Sequence, residues 1–307
     1  MADIVITEFM DEDAIDTLKS KWSVFNDPQL HETPDTLQRE LVNARCLIVR
    51  NQTQVTADML NLAPKLTAIG RLGVGLDNID LSACAEHNIQ VIPAIGANSI
   101  AVSEYALTAA LVLLRGAFFS ANDMVSGTWP RAQLVGSEIR GKTMGLIGFG
   151  SVARQVAHDA AALGMNTIAF DPMVGDDEPV WKYTEKTSFN TVLRHSDIVS
   201  LHVPLTEGTR HMIGEEALTI MKSSAILINT ARGGIVDEVA LVFALKSDRL
   251  FGAALDVFET EPLTAEAAKK FDGLKNIILT PHIAGVTHEA NVRVSMLIAE
   301  KVNEALQ

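Results

Sequence analysis

Lys142–Pro172 reads KTMGLIGFGSVARQVAHDAAALGMNTIAFDP. Its apolar run, Met144 to Ile147, is long enough for a buried strand. Three small residues follow at fixed spacing, Gly148, Gly150 and Ala153. Val152, Val156, Ala160 and Leu163 then recur at helical steps, which predicts a helix closed by Gly164. Thr167 to Phe170 is a second strand, ending on Asp171. Strand, tight turn, helix, strand and terminal acid together make a dinucleotide fingerprint. Gly148 permits the turn, Gly150 lets backbone approach a pyrophosphate, and Ala153 keeps the helix close to the sheet. The helix N-terminus offers unpaired N–H groups to the phosphates. Asp171 can accept hydrogen bonds from ribose hydroxyls and would repel a 2′-phosphate, so the expected cofactor is NAD rather than NADP.

A chain of 307 residues is comfortable for two domains. With 48% apolar and 21% charged residues it has the profile of a globular protein with a large core. A net charge of −13 argues against a nucleic-acid partner, because phosphate backbones need a basic surface. The two cysteines, Cys46 and Cys84, lack metal-ligand spacing and read as small buried hydrophobes of a reducing compartment; no metal is expected. The acidic start MADIVITEFMDED lacks the pattern of a signal peptide, and the most apolar helix is too polar and short to span a membrane. A cytoplasmic protein is expected.

Outward from the fingerprint, residues 3–97 alternate strand and helix. Strands are predicted at Ile4–Ile6, Leu47–Val49, Leu66–Ile69 and Val91–Ile92, with helices at Asp13–Leu18, after an N-cap at Thr56, and at Leu81–His87. That rhythm implies a small parallel sheet covered on both faces. Ser99–Phe119 is a long, weakly charged helical stretch that must be buried, between domains or at a subunit interface. Asn122–Arg140, with Gly127, Trp129 and Pro130, reads as an exposed arm or as local packing. Residues 142–281 form a second α/β unit, with further strands at Ile198–Val203, Ala225–Thr230, Ala253–Val257 and Ile277–Leu279. Val286–Leu306 is amphipathic and could pack back on the first domain. The expected fold is thus α/β, with two domains built on doubly wound parallel sheets. Residues 1–98 and 287–307 form one domain and residues 99–286 the nucleotide-binding one. Ligands bind beyond the carboxyl ends of such strands. Gly148, Asp171, His202, Val203, Pro204, Asn229, Thr230 and Asp256 should therefore line one crevice.

Three charged residues stand near that rim: Arg232 in LINTARGGIVDE, Glu261 in DVFETEP and His282 in ILTPHIAG. Singly, each has a plain structural reading, as a surface arginine, a solvated loop acid and a hydrogen-bonded histidine. As a set they suit hydride transfer between a 2-hydroxy acid and NAD. His282 can move the hydroxyl proton, Glu261 can orient the ring, and Arg232 can hold a carboxylate in its planar fork.

The segments GVGLDNID (residues 73–80), GFGSVA (148–153), NTARGGIVD (229–237), DVFETEP (256–262) and TPHIAG (280–285) resemble the D-isomer-specific 2-hydroxyacid dehydrogenases, in the phosphoglycerate dehydrogenase-like branch. The resemblance implies a Rossmann NAD-binding domain beside a flavodoxin-like substrate domain. It implies an oxidoreductase with His282 as acid/base, Glu261 as its partner and Arg232 as the carboxylate and carbonyl contact. It places the amides of Val74 and Gly75 around the substrate carboxylate, and points Arg50 toward the substrate. It assigns Asp256 to the nicotinamide carboxamide, lines the cofactor with His202, Pro204 and Thr209, and adds Phe149, Ser151, Val152, Pro172, Ala231 and Gly285. A homodimer joined through the nucleotide-binding domain is implied, with the Ser99–Phe119 helix and the Trp129 arm as its candidates. The regulatory C-terminal extension common among phosphoglycerate dehydrogenases is not expected. Arg50, Arg71 or Arg131 could meet a second anionic group on the substrate; alternatively, Arg50 makes a structural salt bridge. That second group would be phosphate, as in 3-phosphoglycerate, or sulfonate, since the ITEFM start resembles (S)-sulfolactate dehydrogenases of this family. Formate dehydrogenase shares the fold but typically carries glutamine at the position of Glu261. Glyoxylate/hydroxypyruvate reductase, which favours NADPH, and an NAD-sensing corepressor-like binding protein are the other readings.

Overall fold

The computed structural model describes residues 2–307. They divide into two compact units, residues 2–98 with 286–307, and residues 99–285.

In the first unit the chain runs β1 (Ile4–Ile6), α1 (Glu12–Lys19), β2 (Val24–Asn26), α2 (Pro34–Leu41), β3 (Cys46–Val49), α3 (Ala57–Asn61), β4 (Ala68–Arg71), α4 (Leu81–Glu86) and β5 (Gln90–Pro93). The strands pair in parallel in the order β2-β1-β3-β4-β5, that of a flavodoxin-like doubly wound sheet. Strand side chains alternate between two cores. Val5, Leu47 and Val49 face one, with Leu37, Leu41 and Leu60. Ile4, Ile6, Cys46 and Ile48 face the other, with Ile15, Leu18, Ile298 and Val302. The predicted strand at Leu66–Ile69 lies two residues further on, because its ladder to β3 opens with Ala68 opposite Cys46.

The second unit contains α5 (Ser99–Arg115), α6 (Ala121–Val125), β6 (Thr143–Ile147), α7 (Ser151–Ala162), β7 (Asn166–Phe170), β8 (Glu185–Lys186), α8 (Phe189–His195), β9 (Ile198–Leu201), α9 (Glu215–Ile220), β10 (Ile226–Asn229), α10 (Glu238–Lys246), β11 (Gly252–Leu255), α11 (Ala265–Ala268) and β12 (Ile277–Leu279). Its parallel order is β12-β11-β10-β9-β6-β7-β8, so the winding reverses between β6 and β9. Met144, Leu146, Ile226 and Ile228 pack with α5 and α7 on one face. Ile147, Val199, Leu201 and Leu227 pack with α8, α9 and α10 on the other. The stretch predicted as one helix over 99–119 stops at Arg115, because Gly116 takes a left-handed φ of 61°. The helix uses its buried side within this unit, against α7, β10 and β11. Strand β9 ends at Leu201, earlier than expected, so His202, Val203 and Pro204 lie beyond the ladder.

The final helix, α12 (His288–Ala305), begins after the N-cap Thr287 and belongs to the first unit. It packs on α1 and β4. A Cβ added at Gly70 of β4 would stand 2.8 Å from the Ile298 side chain, so glycine there permits the close approach. Trp22 Nε1 donates to Asn303 Oδ1 at 2.9 Å, and Arg45 donates to the Leu306 carbonyl at 2.8 Å.

Candidate active site

Gly148 leaves β6 with φ 86°, and a Cβ there would lie 2.6 Å from the His202 carbonyl oxygen and 2.9 Å from Val203. The turn is thereby pressed against the loop after β9, at the reversal of strand order. At Gly150 a Cβ would meet nothing within 4 Å, so open space lies over the N-terminus of α7, where Ser151 and Val152 begin the helix. Phe149 points inward, 1% exposed, and stacks on Trp181 with centroids 4.6 Å apart and planes 11° from parallel. Asp171 closes the arrangement: its carboxylate accepts from Phe149 N at 2.7 Å and from Met173 N at 2.8 Å, with Pro172 exposed between them. Ionised carboxylate oxygens have lone pairs beyond those two bonds.

Two buried polar atoms here have no hydrogen-bond partner among the described residues, His202 Nε2 and Thr230 Oγ1. The register pairs Leu201 with Asn229, which sets His202 and Thr230 side by side at the ends of β9 and β10. An unmet buried polar group costs about 1–3 kcal/mol, so this pair marks where a polar ligand would complete the structure. Burial pushes the His202 pKa down to about 4, leaving a neutral ring. An open glycine turn, a helix N-terminus, a strand-end carboxylate and two orphaned polar atoms fit a dinucleotide. Thr209 is turned inward on its own loop. Its hydroxyl donates to the Pro204 carbonyl at 2.6 Å and accepts from Thr206 N at 2.8 Å.

The three charged residues come from three adjacent strand ends. Arg232 lies on the turn after β10, where the Asn229 side chain accepts from Ala231 N at 3.0 Å and donates to the Arg232 carbonyl at 2.9 Å. A Cβ at Gly233 would fall 1.7 Å from the Phe258 carbonyl oxygen, so only glycine lets this turn nest against the turn after β11. That second turn carries Glu261, whose Oε1 accepts from Phe258 N at 2.9 Å. The other oxygen, Oε2, accepts from His282 Nδ1 at 2.7 Å. Burial alone would raise the Glu261 pKa, but the His282 and Phe258 hydrogen bonds and the nearby charges of His282 and Arg232 outweigh it and hold it below the ordinary value. Glu261 accordingly remains an acceptor, and His282 Nδ1 carries the proton. His282 follows β12 with a left-handed φ of 53°, unusual for a bulky side chain, and its backbone N donates to the Asp256 carbonyl at 2.8 Å. Asp256 is 1% exposed and accepts from Thr280 Oγ1, Ile283 N and Ala284 N, beside Gly285.

Further charged residues support these turns. Glu238, 2% exposed, and Glu259 each accept from the other's backbone N, and Lys270 lies between their side chains. His211 Nε2 pairs with Glu259 at 3.1 Å. In the first unit Arg50 follows β3, half-buried, with Nη2 donating to Asn291 Oδ1 at 2.7 Å. Its loop is held by Glu8, which is 3% exposed and accepts from the backbone N of Arg50, Asn51, Gln52 and Thr53. Val74 and Gly75 lie on the loop after β4, with Val74 38% exposed. Arg71, also at the end of β4, bonds the Leu72 carbonyl at 2.9 Å. Arg131 is exposed on the arm. The structure joins Arg232, Glu261 and His282 within the second unit and places Arg50, Arg71, Val74 and Gly75 in the first.

Fold and site are those of a dinucleotide-dependent oxidoreductase. Residues 107–284 match the family of D-isomer specific 2-hydroxyacid dehydrogenases in its NAD binding domain. The chain is 50% identical over 307 residues to an (S)-sulfolactate dehydrogenase of Chromohalobacter salexigens, covering 100% of this chain and 99% of that one. It is 41% identical to a hydroxypyruvate reductase of Thermotoga maritima, over 90% of this chain and 89% of the relative. A D-3-phosphoglycerate dehydrogenase of Archaeoglobus fulgidus is 38% identical over 97% of this chain, which spans 56% of that relative. Among solved structures, D-lactate dehydrogenase of Aquifex aeolicus, complexed with NAD and lactic acid, superposes with a TM-score of 0.82 at 30% identity, covering 99% of this chain and 95% of that one. The chain belongs to the D-isomer-specific 2-hydroxyacid dehydrogenase family, and its cofactor is NAD. Among the described residues no helix is long and apolar enough to cross a membrane.

Proposed function

We propose that the chain interconverts a small 2-hydroxy acid bearing a second anionic group with its 2-oxo acid, and that this substrate is 3-sulfolactate ahead of 3-phosphoglycerate. The observation that carries the chemistry is the 2.7 Å hydrogen bond from His282 Nδ1 to a Glu261 carboxylate that also feels the charge of Arg232. With Nδ1 protonated toward Glu261, Nε2 is the nitrogen left to exchange a proton with the substrate. In the oxidative direction it takes the hydroxyl proton as the adjacent carbon gives up its hydride, and Glu261 stabilises the imidazolium that forms. Bound NAD supplies the redox step by accepting that hydride. Arg232 holds the substrate carboxylate and polarises the oxygen that becomes the carbonyl.

Val74 and Gly75 amides and the Arg50 guanidinium are the proposed substrate contacts of the first unit. The proposed cofactor contacts are the Gly148–Val152 turn, Asp171, Pro172, His202–Pro204, Thr209, Thr230, Ala231, Asp256 and Gly285. Full-length identity of 50% to a sulfolactate dehydrogenase supports the sulfonate. The 41% identical hydroxypyruvate reductase keeps a second reading, with a neutral hydroxymethyl group in place of the anion. We place the enzyme in the cytoplasm, where NAD and the free, buried Cys46 and Cys84 suit a reducing compartment. We propose a homodimer, whose interface would cover Phe118, Val125, Trp129 and Val135, 70%, 91%, 74% and 81% exposed here.

The test is a panel of 3-sulfolactate, 3-phosphoglycerate, glycerate, lactate and malate with NAD, followed by His282→Ala on whichever responds. Sulfolactate should give the highest kcat/KM, and His282→Ala should lower turnover about a thousandfold. Wild-type turnover in that variant would sink the catalytic assignment. Glycerate ahead of both dianions would favour the hydroxypyruvate reading.

A further inference from the structure

Beneath the His282 loop a line of side chains joins a distant helix to the reacting end of the sheet. Tyr105 of α5 places its hydroxyl 2.5 Å from Thr280 Oγ1, and Thr280 Oγ1 lies 2.6 Å from Asp256 Oδ1. The proton directions follow from the groups themselves. A carboxylate has no proton to give, so Thr280 donates to Asp256. Thr280 has one hydroxyl proton and has spent it, so it accepts from Tyr105. Burial, together with the charge of Asp256, raises the Tyr105 pKa above 10.0, which keeps that donor protonated.

At its far end the line holds the backbone of His282 and of the two residues after it. Asp256 Oδ1 also accepts from Ile283 N at 2.9 Å, Oδ2 accepts from Ala284 N at 2.8 Å, and the Asp256 carbonyl accepts from His282 N at 2.8 Å. These bonds fix residues 280–284 around a left-handed His282, a conformation that persists only where surrounding structure over-determines it. We propose that Tyr105 and Thr280 are positioning residues for catalysis: they hold Asp256 in the rotamer that clamps the His282 loop and so aim the imidazole at the substrate. This deepens the reading of His282 as the acid/base and rests on it. None of the sequence motifs includes Tyr105, whose hydroxyl reaches Thr280 across 175 positions.

The test uses the full chain with NADH and the 2-oxo acid of the best substrate in the panel. Tyr105→Phe removes one oxygen, and Thr280→Val removes the middle link. Thr280→Ser keeps the hydroxyl, and His282→Ala is the control. A misaimed ring should cost about tenfold in kcat for Tyr105→Phe and more for Thr280→Val. Thr280→Ser should recover wild-type kcat, and 4-deuterated NADH should give a larger isotope effect in Tyr105→Phe than in wild type. If His282→Ala is inactive while Tyr105→Phe and Thr280→Val keep wild-type kcat, the positioning role is overturned and the acid/base reading stands. If kcat falls only in step with the melting temperature and Thr280→Ser does not rescue it, the residues are merely structural and the proposal is again overturned. If His282→Ala keeps its turnover, the acid/base reading fails first.

Discussion

Both units are doubly wound parallel sheets, and both carry a loop rich in backbone N–H groups just past a strand end. After β3 that loop is Arg50–Thr53; after β6 it begins at Gly148. The first is filled from within. Glu8 takes the N–H groups of all four loop residues, so none of those donors is left for an outside anion. The second is left open, since a Cβ at Gly150 would touch nothing within 4 Å. Donors of one kind thus serve as scaffold in one place and, in the reading proposed above, as a phosphate cradle in the other. The difference lies in whether the chain supplies its own carboxylate.

Glu8→Ala should have the largest effect on that contrast. It strips a buried acceptor from several N–H groups at once, and a loss of about 3 kcal/mol is expected in urea unfolding. A loss near zero would mean that water replaces the carboxylate at no cost. Gly150→Ala should leave stability within about 0.5 kcal/mol, because its φ of −76° is ordinary for an L residue and the added methyl meets open space. NAD affinity should fall about tenfold, roughly 1.4 kcal/mol, as the methyl enters the proposed phosphate cradle; calorimetric titration checks it. Unchanged affinity would break the contrast at its open end.

The smallest effect should come from Glu8→Gln at acid pH. Burial alone would raise the Glu8 pKa, but the N–H groups of Gln52, Thr53 and Arg50 outweigh it and hold it below the ordinary 4.5. A carboxyl group lowered on folding contributes stability that is complete above its unfolded value and is lost as pH falls through its folded one. Wild type should therefore lose stability below about pH 4.5, and the glutamine variant should show a flatter acid limb. Superimposable limbs would remove Glu8 from the acid response.

Much of the second unit could be read because its strands are buried on both faces and its turns need particular residues. Gly148, Gly150, Ala153 and Asp171 fall on the predicted strand, turn and helix. The unread strands, β2 and β8, are short edge strands without a buried run: β2 is half-buried to exposed, and β8 has two residues. Trp181 under Phe149, Asn291 beside Arg50, and Lys270 between Glu238 and Glu259 carried no spacing signal, because their partners lie far off in sequence.

The sequence by itself determined most of the strands and helices, where the glycine turn lies and which three charged residues stand near it. Local periodicity and the special needs of glycine turns act over a few residues and leave their mark there. Only the tertiary structure decided that Asp256 grips the loop around His282 from below and that Glu8 fills the Arg50 loop. Each of those is a hydrogen bond or packing contact between residues that become neighbours only when the strands align. Its free energy comes from burial and mutual satisfaction, which no single stretch of chain contains.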